Sequence, residues 1–437
     1  MSKYYHSVKL DVSKCVGCTS CLKRCPTEAI RVRERRAFII ENRCIDCGEC
    51  IRTCEHHAKI ATTNPLEAIN RYPYKIALFA PALYGQFKDP EQAAFLPDAL
   101  RMMGFDDVYS VATGADIVTV AIQNKLRQPD CPRPLISSSC PAVVRLIQIR
   151  FPELVDNIVD VRSPMEVSAT EARRKFCETR GVEPGDVGCF FITPCAAKMT
   201  AIRNPLGHET SAVNGAISFL DIYGLLSGLL RKHKGNADFA HSSATGFGVN
   251  WARTDGEALA LGVDDALAVD GIDNVIRVLE EIDNNRLSDL VYFEGLACLG
   301  GCVGGPLTFE NMFIARNRIR QLILKLPKTR PEARVRPETM ASLGDALYFE
   351  SPLESNEEAL RLDGDRKTAL EKMERAEQIR KRLPGLDCGS CGSPTCQALA
   401  EDIVQGDATE LNCIHLLRER LRYMASQMVE MSESTRE

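Results

Sequence analysis

The chain has 437 residues, of which 45% are hydrophobic, so it is long enough for two to four domains with buried cores. Its formal net charge of -5 gives no basic surface for a nucleic acid, and no apolar stretch approaches the roughly 18 residues of a membrane span. The start lacks the apolar region of a signal peptide, which predicts a cytoplasmic location. The 19 cysteines fall in short ligand-type spacings, unlike a secreted disulfide framework, and this pattern predicts metal clusters.

The first predicted domain, residues 1–73, contains two runs of the form C-x-x-C-x-x-C-x-x-x-C. The second run repeats the first 29 residues later, so the domain is internally duplicated. Two such runs are typical of bacterial ferredoxins, in which three thiolates of one run and the fourth of the other hold each 4Fe-4S cluster. We therefore predict an α+β ferredoxin-type domain for electron transfer, with zinc as a much weaker alternative. The predicted ligand sets are Cys15, Cys18, Cys21 and Cys54 for one cluster, and Cys44, Cys47, Cys50 and Cys25 for the other.

The second predicted domain, residues 74–353, alternates strand-like and helix-like segments, which indicates an α/β fold. We predict strands at 75–79 and 108–111, and a helix at 141–151 that has a proline in its first turn. Three further β-prone runs each precede one or two cysteines. Because open α/β sheets bind ligands at the carboxyl ends of their strands, we predict that these cysteines meet in a buried iron-sulfur site. They are Cys140, Cys195, Cys298 and Cys302, and glycines around the last two are expected to let the chain pack against a bulky inorganic ligand.

A charged segment, residues 354–384, is predicted as a linker helix. Its apolar positions recur at helical spacing, and two alternatives remain for them: packing on their own domain, which is favoured, or the seam of a homodimer. The last predicted domain, residues 385–437, is small and mostly helical, with one more metal centre. Spacing alone leaves structural zinc open. The local pattern nevertheless resembles the 4Fe-4S domain appended to several anaerobic redox proteins, and its ligands would be Cys388, Cys391, Cys396 and Cys413.

The three cysteine motifs of residues 74–353, with the two-cysteine motif last, resemble those of the catalytic domain of the iron-only (FeFe) hydrogenases. The resemblance implies two lobes of twisted sheet, flanked by helices, around an H-cluster. That cofactor joins a 4Fe-4S subcluster to a diiron unit that carries carbon monoxide, cyanide and an azadithiolate. By resemblance, all four cysteines hold the subcluster, and Cys302 also bridges the two parts.

The same resemblance assigns ligands of the diiron unit to two further segments. Lys198 matches the lysine that anchors a cyanide ligand. A second segment resembles the one whose backbone amide meets the other cyanide, and it consists of Ala80, Pro81 and Ala82. Trp251 lies in a segment that aligns loosely with a loop over the active site, although core packing is favoured for it.

The sequence departs from the high-turnover members of this family at several positions. Where those members have a proton-relaying cysteine and a glutamate, this chain has Ser139 and Ala201. A serine hydroxyl has a pKa far above that of a thiol, so Ser139 is a poor proton station and turnover is expected to be slow. Glu294 and Glu166 are carboxylates that could provide another route, but a structural role is favoured for each. Two methionines of the family's diiron pocket are replaced here, by Thr193 and Leu296.

With its added carboxyl-terminal cluster domain, the chain resembles the sensory branch of the family. The resemblance predicts an oxidoreductase that interconverts dihydrogen with protons and electrons slowly and reports hydrogen or redox state, with catalytic roles for Lys198, Ser139 and Cys302. Electrons would pass through the ferredoxin clusters, and the carboxyl-terminal cluster would be a second exit. The expected partners are a redox or signalling protein and the hydrogenase maturation proteins. The alternative is a hydrogenase-like electron carrier or iron-sulfur scaffold that never receives the diiron unit.

Overall fold

The structure is a computed structural model that describes residues 4–88, 93–232 and 244–434. These residues fold into two compact units, each assembled from separate segments of the chain. The first unit contains the described residues of Met1–Val8, Ile45–Gly48 and Ala61–Ser355, and the second contains those of Lys9–Cys44, Glu49–Ile60 and Asn356–Glu437. None of the helices in the described ranges combines the length and the apolar character that a membrane crossing requires.

The strands follow one another along the chain as β1 Val8–Leu10, β2 Ile30–Arg33, β3 Arg36–Ile39, β4 Lys59–Ala61, β5 Tyr74–Phe79, β6 Asp107–Ser110, β7 Leu135–Ile136, β8 Val187–Thr193, β9 Gly215–Ser218, β10 Ala266–Asp270 and β11 Tyr292–Leu296. The helices are α1 Ser20–Lys23, α2 Glu49–Thr53, α3 Leu96–Met102, α4 Val111–Leu126, α5 Pro141–Arg150, α6 Pro164–Arg180, α7 Ala196–Arg203, α8 Phe219–Lys232, α9 Gly246–Asn250, α10 Gly256–Leu261, α11 Ile272–Asp283, α12 Met312–Ile323, α13 Pro331–Arg334, α14 Pro337–Leu343, α15 Arg366–Arg382, α16 Cys396–Gln405 and α17 Ile414–Ser434.

The first unit contains a four-stranded parallel sheet in the order β6-β5-β8-β9. Tyr74 of β5 lies opposite Val187 of β8, and Ile76 of β5 lies opposite Asp107 of β6. Every residue of β8 is buried. This two-sided burial explains why its sequence is a continuous apolar run without polar alternation. The strands predicted at 75–79 and 108–111 are present as β5 and β6.

A second parallel sheet in the same unit has the order β10-β11-β7. Tyr292 of β11 lies opposite Ala266 on one side and Leu135 on the other. Helix α11 is strongly amphipathic, since its buried residues recur with helical spacing at Ile272, Val275, Ile276, Leu279 and Ile282. Two parallel sheets with helices make this unit an α/β fold with two lobes, as predicted. The helix predicted at 141–151 is α5, and Pro141 occupies its first turn.

The second unit combines the cysteine-rich segments near the amino terminus with the carboxyl-terminal helices. Strands β2 and β3 form an antiparallel pair in which Ile30 lies opposite Ile39. The predicted linker helix is α15, which begins at Arg366 and is therefore shorter than residues 354–384. Its buried side chains Ala376 and Ile379 belong to the same apolar cluster as Leu399 of α16 and Cys413. Packing on its own domain, the favoured alternative, is what the structure shows.

A buried ion-pair cluster joins β2 to α16 within the second unit. The Arg31 guanidinium, whose residue is 2% exposed, donates from Nε to both carboxylate oxygens of Asp402, at 2.9 and 2.8 Å. Arg33 donates from Nη2 to Asp402 Oδ2 at 2.6 Å, and the Ser393 hydroxyl donates to the same oxygen at 2.7 Å. One carboxylate therefore compensates two cations in a place with little access to water.

Replacing this carboxylate should destabilise the second unit. Asp402→Ala leaves the buried Arg31 charge without its partner, which costs about 3–5 kcal/mol in comparable sites. Denaturant unfolding of the cluster-loaded protein, followed by visible absorbance, measures the effect. The matched control is Glu377→Ala, which removes a solvent-exposed pair with Arg380 and should change stability by less than about 1 kcal/mol. Equal effects of the two substitutions would contradict this role of Asp402.

Candidate functional site

Three strand ends and their following loops bring four cysteines to one cavity in the first unit. Cys140 comes four residues after β7, Cys195 two residues after β8, and Cys298 two residues after β11. These three and Cys302 line a cavity with a volume of about 110 Å3. The sequence places cysteines after three parallel strands, and the structure shows that all three strand ends open on the same cavity.

Nearly all of the predicted site residues of this unit meet at the cavity. Its lining includes Ala80, Pro81, Ser139, Cys140, Cys195, Lys198, Cys298 and Cys302. Ala82 is fully buried and is absent from the described lining. The Ala80 N–H donates to the Ile192 carbonyl at 3.1 Å and Pro81 has no N–H. Ala82 therefore supplies the first amide of the short 3-10 helix Pro81–Gln86 that could donate to a ligand.

The four thiols line one cavity, where their charges as thiolates would repel one another. Burial raises the pKa of Cys195 to about 12, and the neighbouring Cys298 and Cys140 add to that rise. Burial is also the main cause of the raised pKa of Cys140 and of Cys302. Cys302 is exposed to the cavity. The surrounding protein nevertheless makes its charged thiolate form unfavourable. A bound cationic metal centre would compensate these charges, and its binding would release the thiol protons.

The spacing of the sulfur atoms distinguishes a metal cluster from a single zinc ion. Four thiolates 2.3 Å from one zinc would lie about 3.8 Å from each other. Among the described residues, no three cysteine sulfurs lie within 4.8 Å of one another. A cubane carries its iron atoms at its corners and therefore takes thiolates that are farther apart. For the cysteines of this cavity, the sulfur atoms are thus farther apart than a single zinc ion requires, which favours a 4Fe-4S cluster.

Lys198 places a cation beside the thiols. It lies on α7 three residues after Cys195, which puts both residues on the same side of the helix start. Its side chain is half-buried, and no hydrogen bond or ion pair of its ammonium is present within the described parts of the chain. The charge lowers the pKa of Cys140, Cys195 and Cys302 against the effect of burial. An unpaired ammonium at this cavity is suited to an anionic ligand.

Glu257, which the sequence analysis did not identify, is the carboxylate next to Ser139. Ser139 Oγ donates to Glu257 Oε1 at 3.4 Å, and Ser137 Oγ donates to Oε2 at 2.8 Å. The Tyr292 hydroxyl also donates to Oε1, at 2.5 Å. Burial raises the pKa of Glu257 to about 7 against these hydrogen bonds. Glu257 lies on a short helix 118 positions from Ser139, so no motif or spacing signals their contact.

The two carboxylates that the sequence suggested have different positions. Glu294 lines the cavity but accepts hydrogen bonds from the backbone N–H groups of Asp255 and Ala258, at 3.1 and 2.9 Å. Burial and the charge of Glu257 raise its pKa. Glu166 accepts from the hydroxyl of Ser211 at 2.6 Å and is absent from the described cavity lining. The structure therefore gives both carboxylates structural hydrogen bonds, and it leaves Ala201 buried on α7.

The glycines of the last cysteine motif pack closely against protein backbone, and Gly305 also lines the cavity. A Cβ on Gly304 would lie 2.0 Å from the Leu299 carbonyl oxygen, and one on Gly305 would lie 2.5 Å from the Pro194 carbonyl oxygen. Protein backbone, and not only an inorganic ligand, thus excludes side chains here. Thr193 and Leu296, which replace the two methionines of the family's pocket, both line the cavity. Trp251, from the segment that aligns loosely with the family's loop, lines it too. Trp251 therefore contacts the cavity as well as the core.

In the second unit, one ferredoxin-type ligand set is brought together. Cys15, Cys18, Cys21 and Cys54 line a small pocket, with Val32 and Lys59 among the other lining residues. This grouping takes three cysteines from the first run and the last from the second, as predicted. The other set, Cys25, Cys44, Cys47 and Cys50, has members in both units, and its grouping stays a prediction.

The carboxyl-terminal cysteines also gather in the second unit. Cys413 is buried in an apolar cluster against which Cys391 and Cys396 pack. Cys388 is near enough to Cys391 for its charge to raise the pKa of that thiol, although burial is the larger cause. Hydrogen bonds from Ser390 lower the pKa of Cys388 itself. Cys391 and Cys396 thus pack against the cluster that contains Cys413, and Cys388 is close to Cys391.

The three cysteine-containing regions match three family models. Residues 74–262 match the model described as the C-terminal domain of the iron only hydrogenase large subunit. Residues 7–55 match a 4Fe-4S dicluster domain, and residues 383–415 match a model described as an Fe-S cluster.

Curated relatives include proteins of two kinds. The chain is 23% identical over 251 residues to iron hydrogenase 1 of Clostridium pasteurianum. The alignment covers 47% of this chain and 44% of that protein. It is 19% identical over 220 residues to the cytosolic Fe-S cluster assembly factor NAR1 of Yarrowia lipolytica. That alignment covers 50% of this chain and 42% of that protein. The chain therefore spans less than half the length of these relatives.

Among solved structures, a variant of the FeFe hydrogenase HydA1 from Chlamydomonas reinhardtii aligns with a TM-score of 0.48 and 17% identity. The alignment covers 68% of this chain and 95% of that one. Three regions of the chain are thus similar to known families: to the C-terminal domain of the iron only hydrogenase large subunit, to a 4Fe-4S dicluster domain and to an Fe-S domain.

Proposed function

We propose that the chain is an FeFe hydrogenase that interconverts dihydrogen with protons and electrons at an H-cluster. The observation that carries this proposal is the meeting of four cysteines and Lys198 at one cavity. A cubane alone needs only the thiolates. The additional cation fits an anionic ligand such as cyanide, which only a diiron unit would bring.

The roles of the protein residues follow from their positions. The H-cluster, when bound, supplies the metal centre for the chemistry of dihydrogen. Cys140, Cys195, Cys298 and Cys302 would hold it, with Cys302 as the bridging thiolate. Lys198 and the Ala82 amide would donate hydrogen bonds to its anionic ligands. The largely apolar cavity wall keeps bulk water away from these polar contacts, which strengthens them.

The proton route proposed here begins with Ser139 and Glu257. Ser139 lines the cavity and donates to the Glu257 carboxylate, whose raised pKa suits it to exchange protons near neutral pH. Because the pKa of a serine hydroxyl is so high, Ser139 has to accept and release a proton without forming a stable alkoxide. Such a relay is less effective than a thiol. This supports slow turnover and a role in reporting hydrogen or redox state.

The second unit suggests where the electrons would go. Val32, which lines the pocket of Cys15, Cys18, Cys21 and Cys54, donates its backbone N–H to the Gly392 carbonyl at 2.8 Å. Arg33 donates from Nη1 to the Cys391 carbonyl at 3.1 Å. The carboxyl-terminal centre thus has backbone contact with the strand beside this ferredoxin centre. We propose that electrons pass between these two centres to a redox or signalling partner.

The relative NAR1 supports a second candidate function. In this alternative the chain holds iron-sulfur clusters as a carrier or scaffold and never receives the diiron unit. The same four cysteines would then hold only a cubane. Lys198 would have no anionic ligand of a diiron unit to bind.

Infrared spectroscopy of the anaerobically matured protein separates these functions. We expect absorption bands of metal-bound carbon monoxide and cyanide. Lys198→Met should shift or remove the cyanide bands because it removes the hydrogen-bond donor, whereas Lys198→Arg should preserve more of them. A matured protein with complete cubanes and no such bands would reject the hydrogenase and favour the scaffold.

Glu257→Gln tests the proposed proton route. General acid–base groups contribute ~10²–10⁴-fold to rate, and we expect a loss in dihydrogen turnover within that range. Glu166→Gln is the matched control, because Glu166 is also a buried carboxylate but is absent from the described cavity lining. The measurement is the rate of isotope exchange between dihydrogen and deuterated water, compared between proteins with the same cluster content. Full turnover in Glu257→Gln would show that protons take another path.

The pH dependence provides an independent check on the same residue. Burial raises the pKa of Glu257 to about 7, so its carboxylate, which is the base form, increases as pH rises through that value. Oxidation of dihydrogen with an electron acceptor of pH-independent potential should therefore accelerate over this interval. Glu257→Gln should lose this rise. The account is wrong if the variant keeps the same pH profile as the parent protein.

A further inference from the structure

The second unit contains a buried lysine whose charge no described residue compensates. Lys59 begins β4 and is 2% exposed. Its Nζ atom is inaccessible to solvent and makes no hydrogen bond to any described residue. Burying an unpaired ammonium is costly, so such a group is expected only where something else compensates the charge.

The surroundings of Lys59 indicate what compensates it. Lys59 lines the pocket that contains Cys15, Cys18, Cys21 and Cys54. Among the charges that act on Cys21, that of Lys59 has the largest effect, and it lowers the thiol pKa that burial raises. Four thiolates outweigh the positive charge of a cubane, and reduction adds one more negative charge. A cluster in this pocket is therefore the anion that the ammonium lacks.

The internal duplication supplies a comparison within the same chain. Lys59 stands five residues after Cys54, the last cysteine of the second run. The residue five positions after Cys25, the last cysteine of the first run, is Ile30, which is also 2% exposed. The repeat thus tolerates an apolar side chain at this buried position. A lysine there is not required for packing.

We propose that Lys59 raises the reduction potential of the 4Fe-4S centre held by Cys15, Cys18, Cys21 and Cys54. Its ammonium donates to a cluster or cysteine sulfur and stabilises the reduced form more than the oxidised form, because the reduced form carries more negative charge. Net charge and hydrogen bonds to sulfur are established determinants of cluster potential. Each electron that reduces this centre would come from dihydrogen, whose oxidation yields two protons and two electrons.

This inference rests on the proposed function for the presence of the cluster, and it adds a direction to the electron path. The centre that Lys59 favours is the one in backbone contact with the carboxyl-terminal domain. The reduced form of this centre would therefore be favoured, which holds electrons next to the domain proposed as their exit. Lys59 thus acts as a positioning residue for charge, not as a catalytic residue.

The test is a redox titration of the full chain with its clusters in place, monitored by electron paramagnetic resonance. Lys59→Met removes the charge and the donor, and Lys59→Arg retains both. Lys14→Met is the matched control, because Lys14 is next to Cys15 in sequence but 55% exposed. We expect one cluster signal to shift to lower potential in Lys59→Met. The same signal should stay near its parent position in Lys59→Arg and Lys14→Met.

The outcomes distinguish failure of the inference from failure of the proposed function. If iron analysis and the reduced spectrum show no 4Fe-4S cluster in the parent protein, the ferredoxin part of the proposed function fails. If the clusters are present and no signal shifts in Lys59→Met, or Lys14→Met shifts the signal equally, Lys59 has no such role. Should Lys59→Met lose its cluster, Lys59→Gln is titrated with the same criterion, since it is polar but uncharged.

Discussion

Compensation of buried charge is the constraint on which the cluster sites depend. Parallel strand ends bring Cys140, Cys195 and Cys298 into a cavity whose burial opposes thiolate formation, and Cys302 completes the set. A bound iron-sulfur cluster would compensate the thiolate charges that burial opposes. The same reasoning applies in the second unit, where one carboxylate, Asp402, holds two arginines between β2 and α16.

Cations beside the thiols then determine more than cluster binding. Lys198 and Lys59 each place an ammonium at a cysteine-lined pocket, and none of the described residues pairs with either charge. At the first site the cation fits an anionic ligand of the metal, and at the second it fits the cluster itself. In the proposed function, one physical principle would therefore connect the chemistry of dihydrogen with the route of its electrons. The serine at position 139, in place of a thiol, would slow only the first process.

Much of this arrangement follows from the sequence because local patterns carry it. The cysteine spacings, the apolar runs before them and Pro141 at a helix start are short-range signals. They predict the strands and the helix correctly and identify the cysteines that meet at the cavity. Contacts between distant segments have no such signal. Glu257 approaches Ser139 only through folding, and a buried lysine such as Lys59 looks like any surface lysine in the sequence. The sequence likewise carries no local signal that segments from the two ends of the chain fold into one unit.

Diffraction data from crystals of the anaerobically matured protein, collected at the iron absorption edge, test the central claim most directly. The account predicts six iron atoms in the cavity of the first unit, four in a cubane and two beyond Cys302, with the Lys198 ammonium donating to a ligand of the outer pair. Four iron atoms there would mean that the cavity holds only a cubane. A cavity without iron would contradict the assignment of these cysteines altogether.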